Sequence, residues 1–285
     1  MLTPKQLAEF DRDGCLIGGR VLDEAQVEEL RAELDRILAI KPEGFAPGQA
    51  RPVLFRNISG TPGSVVWQIV NIWEASPAFE RLLYHPFVTT AISQMCRSGD
   101  IRVWHDQVQY KPSGTGGVNM WHQDAPYWPV IKPETPVSAW IALDDVDEAN
   151  GCMSMVPGSH KWGNNIKYLH SLKDFREMGK NFTPPADAEI NRVEVRLWPV
   201  KKGEVSFHHS MTWHGSHENK SGRPRRAIAI HFMTQDARFV AEGEHPMKAF
   251  IALEDNALMA EAGAHFPLVC KNGTPVAAPT VAFAR

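Results

Sequence analysis

The sequence predicts a mainly β chain, a jelly-roll barrel with flanking helices and an N-terminal helical buttress. Helix-like patterning is confined to the first third, and about eight short strand-like runs follow, separated by turn chemistry. Closing two sheets face to face disposes of the edges of so many short strands. The size agrees, since 285 residues with 43% hydrophobic content and a net charge of -3 suit one large domain.

Thr3 followed by Pro4 supplies the cap and first-turn chemistry of a helix, and Gly14 can end it. Asp23 caps a second helix with Gln26 at the capping-box position, and Val27, Leu30, Leu34 and Leu38 form its apolar stripe. Residues 41–66 are crowded with Pro, Gly and Ser, which reads as a long irregular connection and a candidate lid. A further helical region covers 77–96 and stops near Gly99. Strands are expected at Val103–Tyr110, Val137–Leu143, Met153–Val156, Val193–Trp198, Glu204–Phe207 and Ala227–Met233, with Asn150-Gly151 as a tight-turn signal between two of them. The expected organisation is one domain over 1–285: a buttress and lid over 1–98, a barrel core over 99–240 and a C-terminal extension over 241–285. The polar stretch 163–187 is a second insertion that could cover the barrel.

Several classes are excluded. No run reaches the roughly 18 apolar residues of a membrane span, and the start MLTPKQLAEFDRDG lacks the basic and apolar regions of a signal peptide. A cytoplasmic protein without a membrane partner is expected. Cys15, Cys96, Cys152 and Cys270 form no CxxC pair, so neither a zinc knuckle nor a disulfide framework is indicated. Interspersed charges give no basic footprint for nucleic acid; Arg223, Arg225 and Arg226 are the one local cluster.

The chemistry concentrates in two segments. Trp121-His122-Gln123-Asp124 puts an imidazole and a carboxylate two residues apart, and on an extended segment both would point the same way. His214, followed by Gly215, can supply a third ligand; His208 and His209 are its competitors. Two histidines and one carboxylate suit ferrous iron and leave positions open for a bidentate keto acid and dioxygen. A keto diacid chelated there projects its second carboxylate inward, where it needs a cation. Arg225, at the start of an apolar strand, can meet it bidentately.

These segments resemble the phytanoyl-CoA dioxygenase family of 2-oxoglutarate oxygenases, which also contains ectoine hydroxylase. The resemblance rests on Phe10 with Asp13-Gly14, Tyr110-Lys111-Pro112, His122-Gln123-Asp124, Trp140, Asn150-Gly151-Cys152, Val156-Pro157-Gly158-Ser159-His160, His214-Gly215-Ser216 and Arg225. It implies a double-stranded β-helix, the cupin-like jelly-roll variant, with iron held by His122, Asp124 and His214. It further implies 2-oxoglutarate paired with Arg225 and touched by Trp140, Ser216 and either Gln107 or Gln109. The implied reaction uses dioxygen to convert 2-oxoglutarate to succinate and carbon dioxide while oxidising an unactivated C–H bond of a small molecule. Hydroxylation is the default; desaturation, epoxidation and ring closure occur in the same family. A carboxylate at Asp124 argues against halogenation. Trp104, Trp121, Tyr127, Trp128 and Trp213 lie near the motifs and would suit a hydrophobic, ring-bearing or cationic substrate. A metal isomerase or hydrolase, or a silent binding protein, would leave Arg225 without a purpose. The sequence specifies no oligomeric state.

Overall fold

A computed structural model describes residues 1–280. Helix α1 (Pro4–Asp13) starts on a capping box between Thr3 and Gln6 and ends at Gly14, whose φ of 71° needs a glycine. Strand β1 (Cys15–Arg20) follows. Helix α2 (Glu24–Ile40) opens on the Asp23–Gln26 capping box, and Val27, Leu30, Leu34 and Ile37 form its buried stripe. The fourth buried position is therefore Ile37, one residue before the expected Leu38, which lies half-buried at the stripe's margin.

The connection 41–66 is not wholly irregular. It contains β2 (Leu54–Asn57), which forms an antiparallel ribbon with β3 (Trp67–Val70). The third helical region is split into α3 (Pro77–Leu83) and α4 (Pro86–Cys96), because Pro86 can begin a helix but cannot continue one.

The remaining strands are β4 (Ile101–Lys111), β5 (Asn119–His122), β6 (Ile131–Lys132), β7 (Val137–Ala142) and β8 (Met153–Val156). Helix α5 (Ile166–Ser171) lies inside the second insertion. Then come β9 (Arg196–Trp198), β10 (Glu204–His209), β11 (Trp213–Ser216), β12 (Arg225–Thr234), β13 (Arg238–Phe239), β14 (Leu268–Lys271) and β15 (Thr274–Pro275). Five residues of the C-terminal extension lie outside the described residues.

The large sheet runs β1-β10-β7-β12-β4-β14-β15, with β3 also on β4; the small sheet runs β5-β11-β8-β9. Asn150-Gly151 does turn the chain, with Gly151 at φ 81°, but the strands it separates, β7 and β8, belong to different sheets. It is a crossover corner, not a hairpin.

Alternation along the large sheet divides its residues cleanly. Val108, Ile141, Val205, Phe207, Ile228 and Ile230 face outward and pack with Leu30, Leu34, Phe79 and Ile92 of the helices. Each large apolar side chain buried there contributes roughly 2 kcal/mol. The opposite face meets the small sheet through Trp140, Ala142, Ala227 and Ala229 against Met153 and Met155. On this inner face the alternation also places Gln107, Gln109 and Lys111 of β4, Ser138 and Trp140 of β7, His208 of β10, and Arg225 and His231 of β12. A bulge between β4 and β12 at Trp104 keeps His105 opposite His231 and returns Val103 to the outer core.

Candidate active site

His122 and His214 are cross-strand partners on β5 and β11 of the small sheet. Asp124 lies just beyond β5, where the backbone has left the extended region for φ −74°, ψ −49°. The expectation of a continuous extended His-x-Asp segment is therefore corrected: a turn, not strand alternation, brings the carboxylate beside the imidazole. His122 Nε2 and His214 Nε2 lie 3.6 and 3.5 Å from Asp124 Oδ1, and the three ligand atoms fall within 4.8 Å of one another.

Both imidazoles are set for coordination. His122 Nδ1 lies 2.8 Å from the Met120 carbonyl and His214 Nδ1 2.9 Å from the Thr212 carbonyl. A carbonyl only accepts, so each Nδ1 carries a proton, which leaves Nε2 as the ring atom turned to Asp124 and available to a metal. Burial first, then His122, pushes His214 down to about 3, so this ring is neutral. Burial opposes ionisation of Asp124, but contact with His214, His122 and His208 outweighs it and holds the carboxyl well below its ordinary range. Gly215 lets the strand pass close, since a Cβ there would lie 2.9 Å from the Asn119 carbonyl.

An inner pocket beside these three residues is lined by Gln107, Gln109, Trp140, Ser216 and His231. Arg225 is fully buried, its guanidinium carbon 5.8 Å from the Trp140 ring centre, and none of its three nitrogens has a hydrogen-bond partner among the described residues. Burial lowers it to about 10. An isolated buried cation is costly, so the surroundings are complementary to an anion that the described residues do not supply.

The profile of the phytanoyl-CoA dioxygenase (PhyH) family matches residues 10–227. The chain belongs to that family. Human peroxisomal phytanoyl-CoA dioxygenase is 26% identical over 246 residues, covering 84% of this chain and 71% of the relative. The ectoine dioxygenase of Bordetella parapertussis is 27% identical over 240 residues, covering 80% and 74%. Among solved structures, the α-ketoglutarate-dependent carbocyclase SnoK from nogalamycin biosynthesis superposes with a TM-score of 0.74 at 23% identity, covering 94% and 96%. EctD from S. alaskensis with 2-oxoglutarate and 5-hydroxyectoine gives 0.64 at 20% identity, covering 97% and 86%. PhyH proteins are iron- and 2-oxoglutarate-dependent oxygenases, and these likenesses agree with the jelly-roll fold described above.

Behind Ser216, which lines the inner pocket, lies a buried lysine that was not singled out from sequence. Lys111, also fully buried, is the cross-strand partner of Arg225 and donates to Ser216 Oγ at 2.6 Å and to the Ser216 and His217 carbonyls. Its only sequence signal was its place in Tyr110-Lys111-Pro112. Ser216 is thus engaged by Lys111. Gln107 and Gln109 both line the pocket, the first accepting from Gln68 at 2.7 Å and the second from Asn119 at 2.9 Å, so their placement does not separate them. His209 accepts from the Met211 backbone and stacks toward His160, away from the site, whereas His208 touches Asp124.

The inner pocket opens into a cavity of about 570 Å³. Trp121, Tyr127 and Trp128 line it, together with Leu54, Ile58 and Met120. Trp104 and Trp213 do not: Trp104 packs against Phe266, and Trp213 packs against Trp162, Tyr168 and Phe182. Both candidate insertions reach the cavity, 41–66 through Leu54 and Ile58 and 163–187 through His170, which meets the Tyr127 hydroxyl at 2.7 Å. Among the described residues no helix is long and apolar enough to cross a membrane.

Proposed function

We propose that this chain oxidises an unactivated C–H bond of a hydrophobic, ring-bearing small molecule, coupled to conversion of 2-oxoglutarate and dioxygen to succinate and carbon dioxide, in the cytoplasm. His122, Asp124 and His214 would hold ferrous iron, and Arg225 would pair with the distal carboxylate of 2-oxoglutarate. The observation that carries the reading is the buried Arg225 on the large sheet, without a hydrogen-bond partner among the described residues, together with two imidazoles on the small sheet whose Nε2 atoms converge on one carboxylate oxygen. Iron bound there supplies dioxygen activation. The protein's part is to fix both Nε2 atoms through carbonyl-bound Nδ1 protons, to present a cation in a water-poor pocket, and to leave the 570 Å³ cavity as the way in for substrate. Gln107 and Gln109 stand between the two pockets and would contact co-substrate on one side and substrate on the other. We read the whole chain as one domain, with 99–240 as the core that carries the site.

Hydroxylation is the expected outcome. Ring closure is the second reading, favoured by the fold likeness to a carbocyclase along nearly the whole chain.

The test is anaerobic addition of ferrous iron and 2-oxoglutarate, read by calorimetry and by the charge-transfer absorbance of the chelate, followed by oxygen admission and succinate measurement. Saturable 2-oxoglutarate binding that depends on both iron and Arg225 supports the proposal. Binding that is indifferent to iron, or unchanged in Arg225→Ala, would overturn it.

A further inference from the structure

One wall of the large cavity is built from rings that the proposed chemistry does not use. His105, Trp128, His231 and His245 all line it. The ring centres of His105 and His231 are 4.6 Å apart, those of Trp128 and His231 4.6 Å, and those of His105 and His245 5.4 Å with planes within 25°.

Hydrogen bonding fixes the tautomers of two of these rings, and fixes them oppositely. His105 is 2% exposed, and its Nδ1 lies 3.2 Å from the Asp106 carbonyl. A carbonyl only accepts, so Nδ1 carries the proton and Nε2 bears a lone pair. That Nε2 is buried and has no hydrogen-bond partner among the described residues. In His245 the Met247 backbone N–H donates to Nδ1 at 3.2 Å, so the proton sits on Nε2, which is therefore a donor. Burial holds both rings neutral, His105 well below 6.5 and His245 down to about 4. The nearby carboxylate of Glu244 is paired with Lys248 at 3.0 Å.

A neutral acceptor beside a neutral donor, on near-parallel rings in an aromatic wall, is the complement of a hydroxyl group, which donates one hydrogen bond and accepts another. A carboxylate would confront the His105 lone pair, and an ammonium would confront the His245 N–H. A purely apolar ligand would leave the buried His105 Nε2 unmet, which carries the full desolvation penalty of that atom. We propose that His105 and His245 form a hydroxyl-reading subsite, and that the substrate is a ring-bearing molecule with a hydroxyl group. This rests on the reading above that the cavity takes the substrate. The placement suits orientation: His231, the cross-strand partner of His105, lines both the cavity and the inner pocket. A hydroxyl held at His105 therefore anchors the substrate one imidazole away from the residues proposed to hold iron.

The experiment uses the full chain with ferrous iron and 2-oxoglutarate under nitrogen. Its probes are matched sets of phenol, 1-naphthol and a tetracyclic phenol, each with its methyl ether, and binding is read by quenching of tryptophan fluorescence. The wild-type protein should bind at least one alcohol about tenfold or more tightly than its ether, since the ether cannot donate to His105. In His105→Phe, which keeps ring volume without the acceptor, the ratio should fall to about twofold or less. Equal binding of alcohol and ether, binding of none of the probes, or an undiminished ratio in a folded His105→Phe would overturn the subsite. If that variant does not fold, the wild-type ratio alone decides, and His245→Phe gives the second reading of the same pair. The charge-transfer absorbance in the same samples reports 2-oxoglutarate separately. Its absence with the alcohol preference intact would remove the proposed function and leave the hydroxyl site standing.

Discussion

His208 Nε2 lies 3.1 Å from Asp124 Oδ2, whereas Oδ1 of the same carboxylate faces the Nε2 atoms of His122 and His214 at 3.6 and 3.5 Å. The two oxygens are thereby told apart: one is turned to the proposed metal position and the other is held from behind. His208 comes from β10 of the large sheet and the two proposed ligand histidines from the small sheet, so the contact also ties the layers together. Ser138 Oγ adds a longer contact to Oδ2 at 3.5 Å.

His208→Phe should therefore weaken metal binding by about 10- to 100-fold, the usual scale when a ligand loses the group that orients it. His208→Gln, which can still donate, should keep most of the affinity. Titration calorimetry with cobalt(II), alongside circular dichroism to check the fold, separates the two; equal loss in both variants would reduce His208 to packing.

Arg225 should show opposite effects on binding and on stability. Removing one member of a buried charge pair costs about 3 to 5 kcal/mol, so Arg225→Met should weaken 2-oxoglutarate binding by two or more orders of magnitude with metal affinity intact. Without 2-oxoglutarate the same substitution removes an uncompensated buried cation. The melting temperature of the ligand-free variant should therefore rise. A fall in melting temperature on thermal scans without 2-oxoglutarate would show that the guanidinium is already satisfied.

Acid should destabilise the fold in part through His160. Burial pushes this imidazole from 6.5 down to about 4 in the native protein. As pH falls below 6.5 the unfolded chain takes up the proton first, so native stability declines from pH 6.5 to 4 and no further below. The contribution is at most about 3 kcal/mol. Urea unfolding of His160→Asn should lose less stability between pH 7 and pH 4.5 than the parent does; equal losses would place the sensitivity at the other buried histidines.

The two insertions should respond to substrate together. Leu54 and Ile58 from one and His170 from the other face the same cavity, and the Tyr127–His170 hydrogen bond joins the second insertion to the segment after Asp124. Hydrogen exchange in the anaerobic iron and 2-oxoglutarate complex should slow over both 41–66 and 163–187 when substrate is added. Unaltered exchange would make them wrapping only.

The sequence made the site more legible than its frame. His122, Asp124, His214 and Arg225 were readable because the chemistry requires those residue types and the motifs keep them in short, recognisable strings. The strands β4, β7 and β12 were readable too, through apolar residues that recur on one face: Val103 and Val108, then Val137, Ala139 and Ile141, then Ile228, Ile230 and Phe232. What escaped notice lacked such a pattern. Strand β2 sits among prolines and glycines and is held by its partner β3, while β5 is only Asn119–His122 and owes its pairing to β11. The roles of Lys111, His105 and His208 depend on which strand faces which across the sandwich, and local spacing does not encode that.

The division of the site between the layers has one more consequence. The proposed iron ligands belong to β5, its following turn and β11 on the small sheet, while Arg225 belongs to β12 on the large one. A keto diacid that chelated at one layer and paired at the other would lie between sheets whose backbones are about 10 Å apart, with the Arg225 and ligand side chains covering the rest of that distance. On the proposed binding mode the sandwich would act as a gauge of chain length, favouring a five-carbon diacid over a four-carbon one. Selectivity for the co-substrate would in that sense be a property of how the two sheets are spaced, and substitutions in the packing of Met153 with Trp140 between the sheets would alter it without touching either binding group.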